Sequence, residues 1–241
     1  MRSNFSKGML RKTHLKFSAV LVFVFCATTP VAGQFLHPKV GKETTIRTIA
    51  ILPAKVAVVR DSMKGPEGMA AESEELSTRV EEAVAEVLKN KKQITRAKLQ
   101  APAVDAGDAQ AKYTAADLQA KFDDLLPKVM KKRSDVKKGR FTMGDEVLNL
   151  NLDKNVDAIV FIRGQGKKLT GGKTAFTILV GGTPAYLLMQ IGIVDARTGE
   201  VLVYTDPAFG GDPTTAVDRL RKALEKGFKK IPAAGTQTPK P

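Results

Sequence analysis

Cysteine, histidine and tryptophan are nearly missing from this chain of 241 residues: there is one cysteine, Cys26, two histidines, His14 and His37, and no tryptophan. A lone cysteine cannot close an intrachain disulfide, so the fold must rest on its apolar core. Two histidines, both before residue 40, exclude a multi-histidine zinc site and a His-Asp-Ser relay inside a folded pocket. No metal ligand set and no resident cofactor is expected. Aromatic residues make up only 6% of the chain, too few to interleave with its basic residues as base-stacking platforms, and a nucleic-acid partner is not expected. Only an enzyme built from Asp, Glu, Lys or Tyr survives these absences, and the chain reads as non-enzymatic.

Long apolar runs are also lacking. The longest is Phe17–Ala27, 11 residues, well short of the ~20 a membrane-spanning helix needs. Five basic residues and no acid precede it (Arg2, Lys7, Arg11, Lys12 and Lys16), and Thr28-Thr-Pro-Val-Ala-Gly33 follows it. This three-part pattern is that of a secretory signal peptide over residues 1–33, with Val31 and Gly33 as the small residues before a cut. Cleavage before Gln34 removes Cys26. Lipidation at Cys26 is the lesser reading, because Phe25 stands where a lipoprotein signal wants a small residue. The expected location is periplasmic or secreted, with no membrane span after cleavage.

The chain is 43% hydrophobic, normal for a globular protein, and carries a formal charge of +14. Without the five leading cations, 34 basic residues face 25 acidic ones, a moderately basic body. Seven of the thirteen residues from Lys128 to Arg140 are basic, and Lys131, Lys132 and Arg133 are candidate contacts to an anionic envelope polymer or lipid surface.

Periodicity gives an α/β reading: a single domain over residues 45–231. An exposed lead-in at 34–44 precedes it, and a flexible tail at 232–241 follows. Thr45–Leu52 is apolar on both faces towards its end, as a central strand is, and Pro53 should end its ladder before Lys55–Val59 resumes it. Met69, Leu76, Val80, Val84 and Val87 make one helical stripe. Thr114 and Asp117 have the spacing of a capping box for a second helix, which Pro127 should kink or end. Further strands are expected at Val156–Ile162, Thr174–Val180, Tyr186–Val194 and Val201–Tyr204. Gly199 should take a left-handed conformation in the turn between the last two. Asp212 and Pro213 should open the final helix.

Gly172-Lys173-Thr174 ends like a phosphate-binding loop, yet five residues separate it from Gly166 where that loop needs four. The segment after it reads as a strand, whereas a phosphate loop must feed a helix. Taken as strand, Phe176, Ile178 and Val180 would lie on an exposed sheet edge able to accept a strand from a partner.

Ile49-Ala-Ile-Leu-Pro53, Asp157-Ala-Ile-Val160 with Gly164, and Val194-Asp-Ala-Arg-Thr-Gly-Glu-Val-Leu202 resemble scaffold segments of a group of bacterial envelope proteins. That group includes the curli-secretion lipoproteins, the penicillin-binding-protein activators and the N-terminal domain of the Tol-Pal translocation protein. The resemblance implies a mixed sheet backed by helices in an envelope assembly or interaction factor that binds another envelope protein without catalysis. Binding of an anionic polymer or a small ligand is the alternative.

Overall fold

The computed structural model describes residues 33–99, 114–150, 152, 155–180 and 185–236. The expected signal segment, except Gly33, lies outside them. In chain order the regular elements are β1 (Gln34–Leu36), β2 (Thr48–Ile51), β3 (Lys55–Ser62), β4 (Gly65–Gly68), α1 (Ala70–Lys92), β5 (Thr95–Arg96), α2 (Ala115–Lys131), β6 (Ala158–Leu169), α3 (Gly171–Leu179), β7 (Tyr186–Asp195), β8 (Val201–Thr205), β9 (Ala208–Gly210) and α4 (Val217–Gly227).

The strands form one mixed sheet in the order β1-β8-β7-β6-β2-β5. Its spine is the antiparallel pair β6 and β7, in register from Ala158↔Asp195 to Lys167↔Tyr186. Each spine strand is long enough to take two shorter strands in succession along its outer edge. β2 and then β3 run parallel to β6, from Ile49↔Ala158 and from Lys55↔Arg163. β8 and then β9 run antiparallel to β7. A proline marks both changes: Pro53 separates β2 from β3, and Pro207 separates β8 from β9. Proline has no N–H to give the ladder, so a strand meeting it breaks and restarts.

Two apolar layers cover the sheet. On one face Leu76, Val80, Val84 and Leu88 of α1 and Leu220 and Leu224 of α4 pack against Ile49, Ile51, Val56, Val58, Val160 and Ile191. On the other, Leu118, Phe122 and Val129 of α2 pack against Ile159, Phe161, Val194 and Tyr204. The Phe122 and Phe161 rings stack at 4.8 Å. Phe122 lies so close over Gly192 that an added Cβ would come within 2.5 Å of its ring. That close approach is why β7 carries a glycine in its middle.

Most expected elements are present, and several differ. Thr174–Val180, expected as a strand, lies in α3. β6 already has β2 and β3 on one edge and β7 on the other, so an extended segment there would find no ladder partner. The lead-in is not exposed at its start: Gln34–Leu36 pairs with β8 from Gln34↔Thr205, and His37 is buried. Pro127 does not end α2, because Phe122 before it and Val129 after it are both buried. α4 begins at Val217, since Asp212 accepts from Thr214 N at 2.9 Å and caps a separate turn. Within the expected tail, Ala234 packs against the core, and 237–241 lie outside the described residues. The capping box of α2 forms as read, with Asp117 N donating to the Thr114 hydroxyl and Thr114 N to the Asp117 carboxylate.

Candidate interaction surface

α2 covers only the half of the sheet nearest β2 and β8. Past Arg163 the strands run on beyond α2, and among the described residues their outward side chains line a groove. Period-2 alternation decides which side chains stand there. On β3, Val56 and Val58 turn inward under α1 while Lys55 and Ala57 are exposed. On β6, Gly164 and Gly166 are buried while Gln165 is exposed. On β7, Leu187 and Met189 are buried while Leu188 is exposed.

The strand register sets these outward residues in rows. Lys55, Arg163 and Gln190 form one row, Ala57, Gln165 and Leu188 the next, and Val59, Lys167 and Tyr186 the last. A groove of about 840 Å³ runs along this face between the start of α1 and the end of α2, walled by Leu126, Pro127 and Met130 on the α2 side. A hollow of about 490 Å³ continues it over Val59, Lys167 and Tyr186.

Arg163 and Lys167 in the trough are matched within the chain, while Lys55 in the first row is exposed. The guanidinium of Arg163 donates through Nε and Nη2 to the Asp123 carboxylate. Lys167 Nζ lies 2.9 Å from Asp61, and Lys173 also donates to Asp61. Hydrogen bonds from Lys173 and Lys167 hold the Asp61 carboxyl below its ordinary range.

The nearby edge of β3 is closed to a partner strand. Val58 N donates to Ser73 Oγ at 2.9 Å, Val56 N to Ser77 Oγ at 3.0 Å, and Ala54 N to Glu81 at 2.7 Å. Ser73, Ser77 and Glu81 recur every four residues on one face of α1, matching alternate N–H groups of the strand. This helix-to-strand ladder occupies the donors that an added strand would use.

The residues singled out in the sequence fall elsewhere. Phe176, Ile178 and Val180 lie on or just after α3, so the sheet edge expected from them does not exist, although Val180 is exposed. The basic stretch is largely used internally. Arg133 lies 2.5 Å from Asp206, Lys137 sits over the Phe35 ring at 5.7 Å, and Lys138 and Arg140 both approach Asp135. Lys131 and Lys132 are exposed.

Gly172-Lys173-Thr174 does follow a strand and open a helix, contrary to the expected strand–strand context. Even so, Gly166 to Leu169 belong to β6 and leave Thr170 alone as the connection. Lys173 points to Asp61 and the Ser62 carbonyl, so no loop is left to wrap a phosphate.

His37 is buried, its Nδ1 accepting from Lys39 N at 3.2 Å. Tyr204 is sealed in the core and its phenol is pushed up to about 12, chiefly by burial. Among the described residues no group of three or more His, Cys, Asp or Glu could hold a metal ion, and no helix is long and apolar enough to cross a membrane.

The open face was missed in the sequence although it left a signal. In Arg163-Gly-Gln-Gly-Lys167, polar residues alternate with glycine, as a strand does when one face is packed closely and the other is wet.

No family model matches the chain, and no curated protein does.

Solved structures do. A PelC dodecamer from Paraburkholderia phytofirmans matches over 84% of this chain and 96% of that one, at 12% identity and a TM-score of 0.38. Lipoprotein GNA1162 from Neisseria meningitidis matches over 76% and 96%, at 10% identity and 0.31. The C-terminal domain of LpoB from Salmonella enterica matches over 70% and 85%, at 10% identity and 0.26. At these scores the likeness carries no argument about activity or partner. The family resemblance drawn from Ile49–Pro53, Asp157–Val160 and Val194–Leu202 is met only in part: a lipoprotein stands among the neighbours. Those three segments build β2, the start of β6 and the β7–β8 hairpin, all of them scaffold.

Proposed function

We propose that this protein is an exported, non-catalytic envelope factor that binds an extended segment of another envelope protein in the trough over β3, β6 and β7. One observation carries the reading: among the described residues, the face of β3, β6 and β7 past Arg163 lines a groove with Ala57, Gln165 and Gln190 beside the apolar wall of Leu126, Pro127 and Met130, and Leu188 stands in the same row as Ala57 and Gln165. A sheet face left open in this way costs apolar exposure that a second helix would otherwise have removed. The glutamine amides supply donors and acceptors for a partner backbone, and Leu188 supplies an apolar contact. Export rests on the pattern of residues 1–33.

An anionic polymer fits this trough less well, because Arg163 and Lys167 are already matched by Asp123 and Asp61. The test places a photo-cross-linking residue at Gln165 and, separately, at Lys131, in the exported protein. A single envelope protein captured from Gln165, lost with Leu188→Glu and retained in high salt, is the expected outcome. Capture only from Lys131, abolished by salt, would replace the trough with the basic stretch and a polymer.

A further inference from the structure

The pairing of β1 with β8 continues one residue upstream, to Gly33. Asp206 N donates to the Gly33 carbonyl at 3.3 Å, and Gly33 N donates to the Asp206 carboxylate oxygen Oδ1 at 2.6 Å. The second contact uses a carboxylate where an antiparallel ladder would use a carbonyl. Arg133 takes the other oxygen, Oδ2, of the same carboxylate. The Asp206 side chain is shielded, only 17% exposed. In the uncut chain, where the Gly33 nitrogen is a neutral amide, burial keeps the Asp206 carboxyl above its ordinary value despite Arg133. A shielded carboxylate of this kind gains from a further positive charge.

Position 33 has room for glycine only. A Cβ there would come within 2.7 Å of the Phe35 ring and 3.1 Å of Asp206 Oδ1. The next residue is built into the core: Gln34 is buried, and its side-chain oxygen accepts from Lys230 N at 2.6 Å. Glutamine standing first in a chain cyclises. Its α-amine attacks Cδ, the bond from Cδ to the side-chain nitrogen breaks, and ammonia leaves. That reaction would take away the carboxamide that holds Lys230. With Gly33 in front, the Gln34 nitrogen is an amide and does not attack.

We propose that signal removal cuts before Gly33 rather than before Gln34, and that Asp206 is the seat of the Gly33 α-ammonium so formed. The inference rests on the export reading and is independent of the trough. Ala32 is the small residue that such a cut needs before it. The ammonium stands where the Gly33 N–H already meets Asp206, and its full charge turns a hydrogen bond into a charge-assisted one. The carboxylate is then bracketed, with Oδ1 on the chain terminus and Oδ2 on the Arg133 guanidinium. Processing and folding are thereby joined, because the first atom of the mature chain closes the end of the sheet.

N-terminal sequencing and intact mass of the exported protein should show Gly33 as its first residue. Gly33→Ala should still be processed, since alanine is small enough for the cut, and the mature protein should melt a few degrees lower. Asp206→Asn keeps the shape and removes the charge. Acylation of the α-amine, located by peptide mass, should become on the order of tenfold faster in that variant, as its pKa falls by about one unit. A processed chain starting at Gln34, or Gly33→Ala melting as the parent does, would overturn the proposal and leave export standing. Equal acylation rates in parent and Asp206→Asn would overturn the seat at Asp206. A chain recovered with residues 1–32 still attached would overturn the export reading and this proposal together.

Discussion

Gly199 sits in the turn between β7 and β8 with φ of +69°, and a Cβ there would come within 2.3 Å of the Gly144 carbonyl oxygen. Strain and collision act together, so Gly199→Val should destabilise the domain by about 2–3 kcal/mol, read from denaturant midpoints. An unchanged midpoint would mean that the turn is not held this way. Two carboxylates should titrate in opposite directions. Burial pushes Asp206 above its ordinary value of 3.8, outweighing its contacts with Arg133 and the Gly33 N–H. Its contribution to stability is therefore full below that value and is lost as pH rises through the folded-state pKa. Glu200 is held below its ordinary 4.5 chiefly by its hydrogen bond from Lys39, so its contribution is present above that value and is lost as pH falls through its own pKa. Carboxyl-carbon NMR titration should place Asp206 above and Glu200 below those two values. The reverse order would contradict both environments.

Among elements, the most consequential pairing is the seal that α1 makes on β3. Ser73 and Ser77 are polar residues in a helix, yet each accepts a strand N–H and each also donates to the carbonyl four residues back. Ser73→Ala with Ser77→Ala should cost about 1 kcal/mol for each lost bond, because the Val58 and Val56 N–H groups lose their partners. It should also leave a sheet edge open to another chain. Thermal unfolding and light scattering together test this; full stability and no association would show that the hydroxyls are incidental. α3 carries a related lesson. Its residues suit a strand by alternation and β-branching, but the ladder positions beside β6 were already filled, and Lys173 found contacts on the end of β3 instead. Propensity gave way to hydrogen-bond supply.

Across the whole molecule, a long two-strand spine extends beyond the reach of α2, and the proposed trough lies on that extension. Elements bounded by strong local chemistry were legible in the sequence: the capping box Thr114–Asp117, the stripe of α1, the strand break at Pro53 and the turn at Gly199. Each is decided by neighbours a few residues away, through dihedral limits, missing donors or helical spacing. The α/β class followed from those signals, and the mixed sheet was what the family resemblance implied. Tertiary structure alone decided that Gln34–Leu36 joins the sheet, that Arg133 is spent on Asp206, and that Lys173 turns to Asp61. These depend on partners as much as 171 residues away, as with Gln34 and Thr205, and no local pattern encodes which distant edge or carboxylate will be vacant. The trough belongs to the same class, because its lining is set only once every described element around it has been placed.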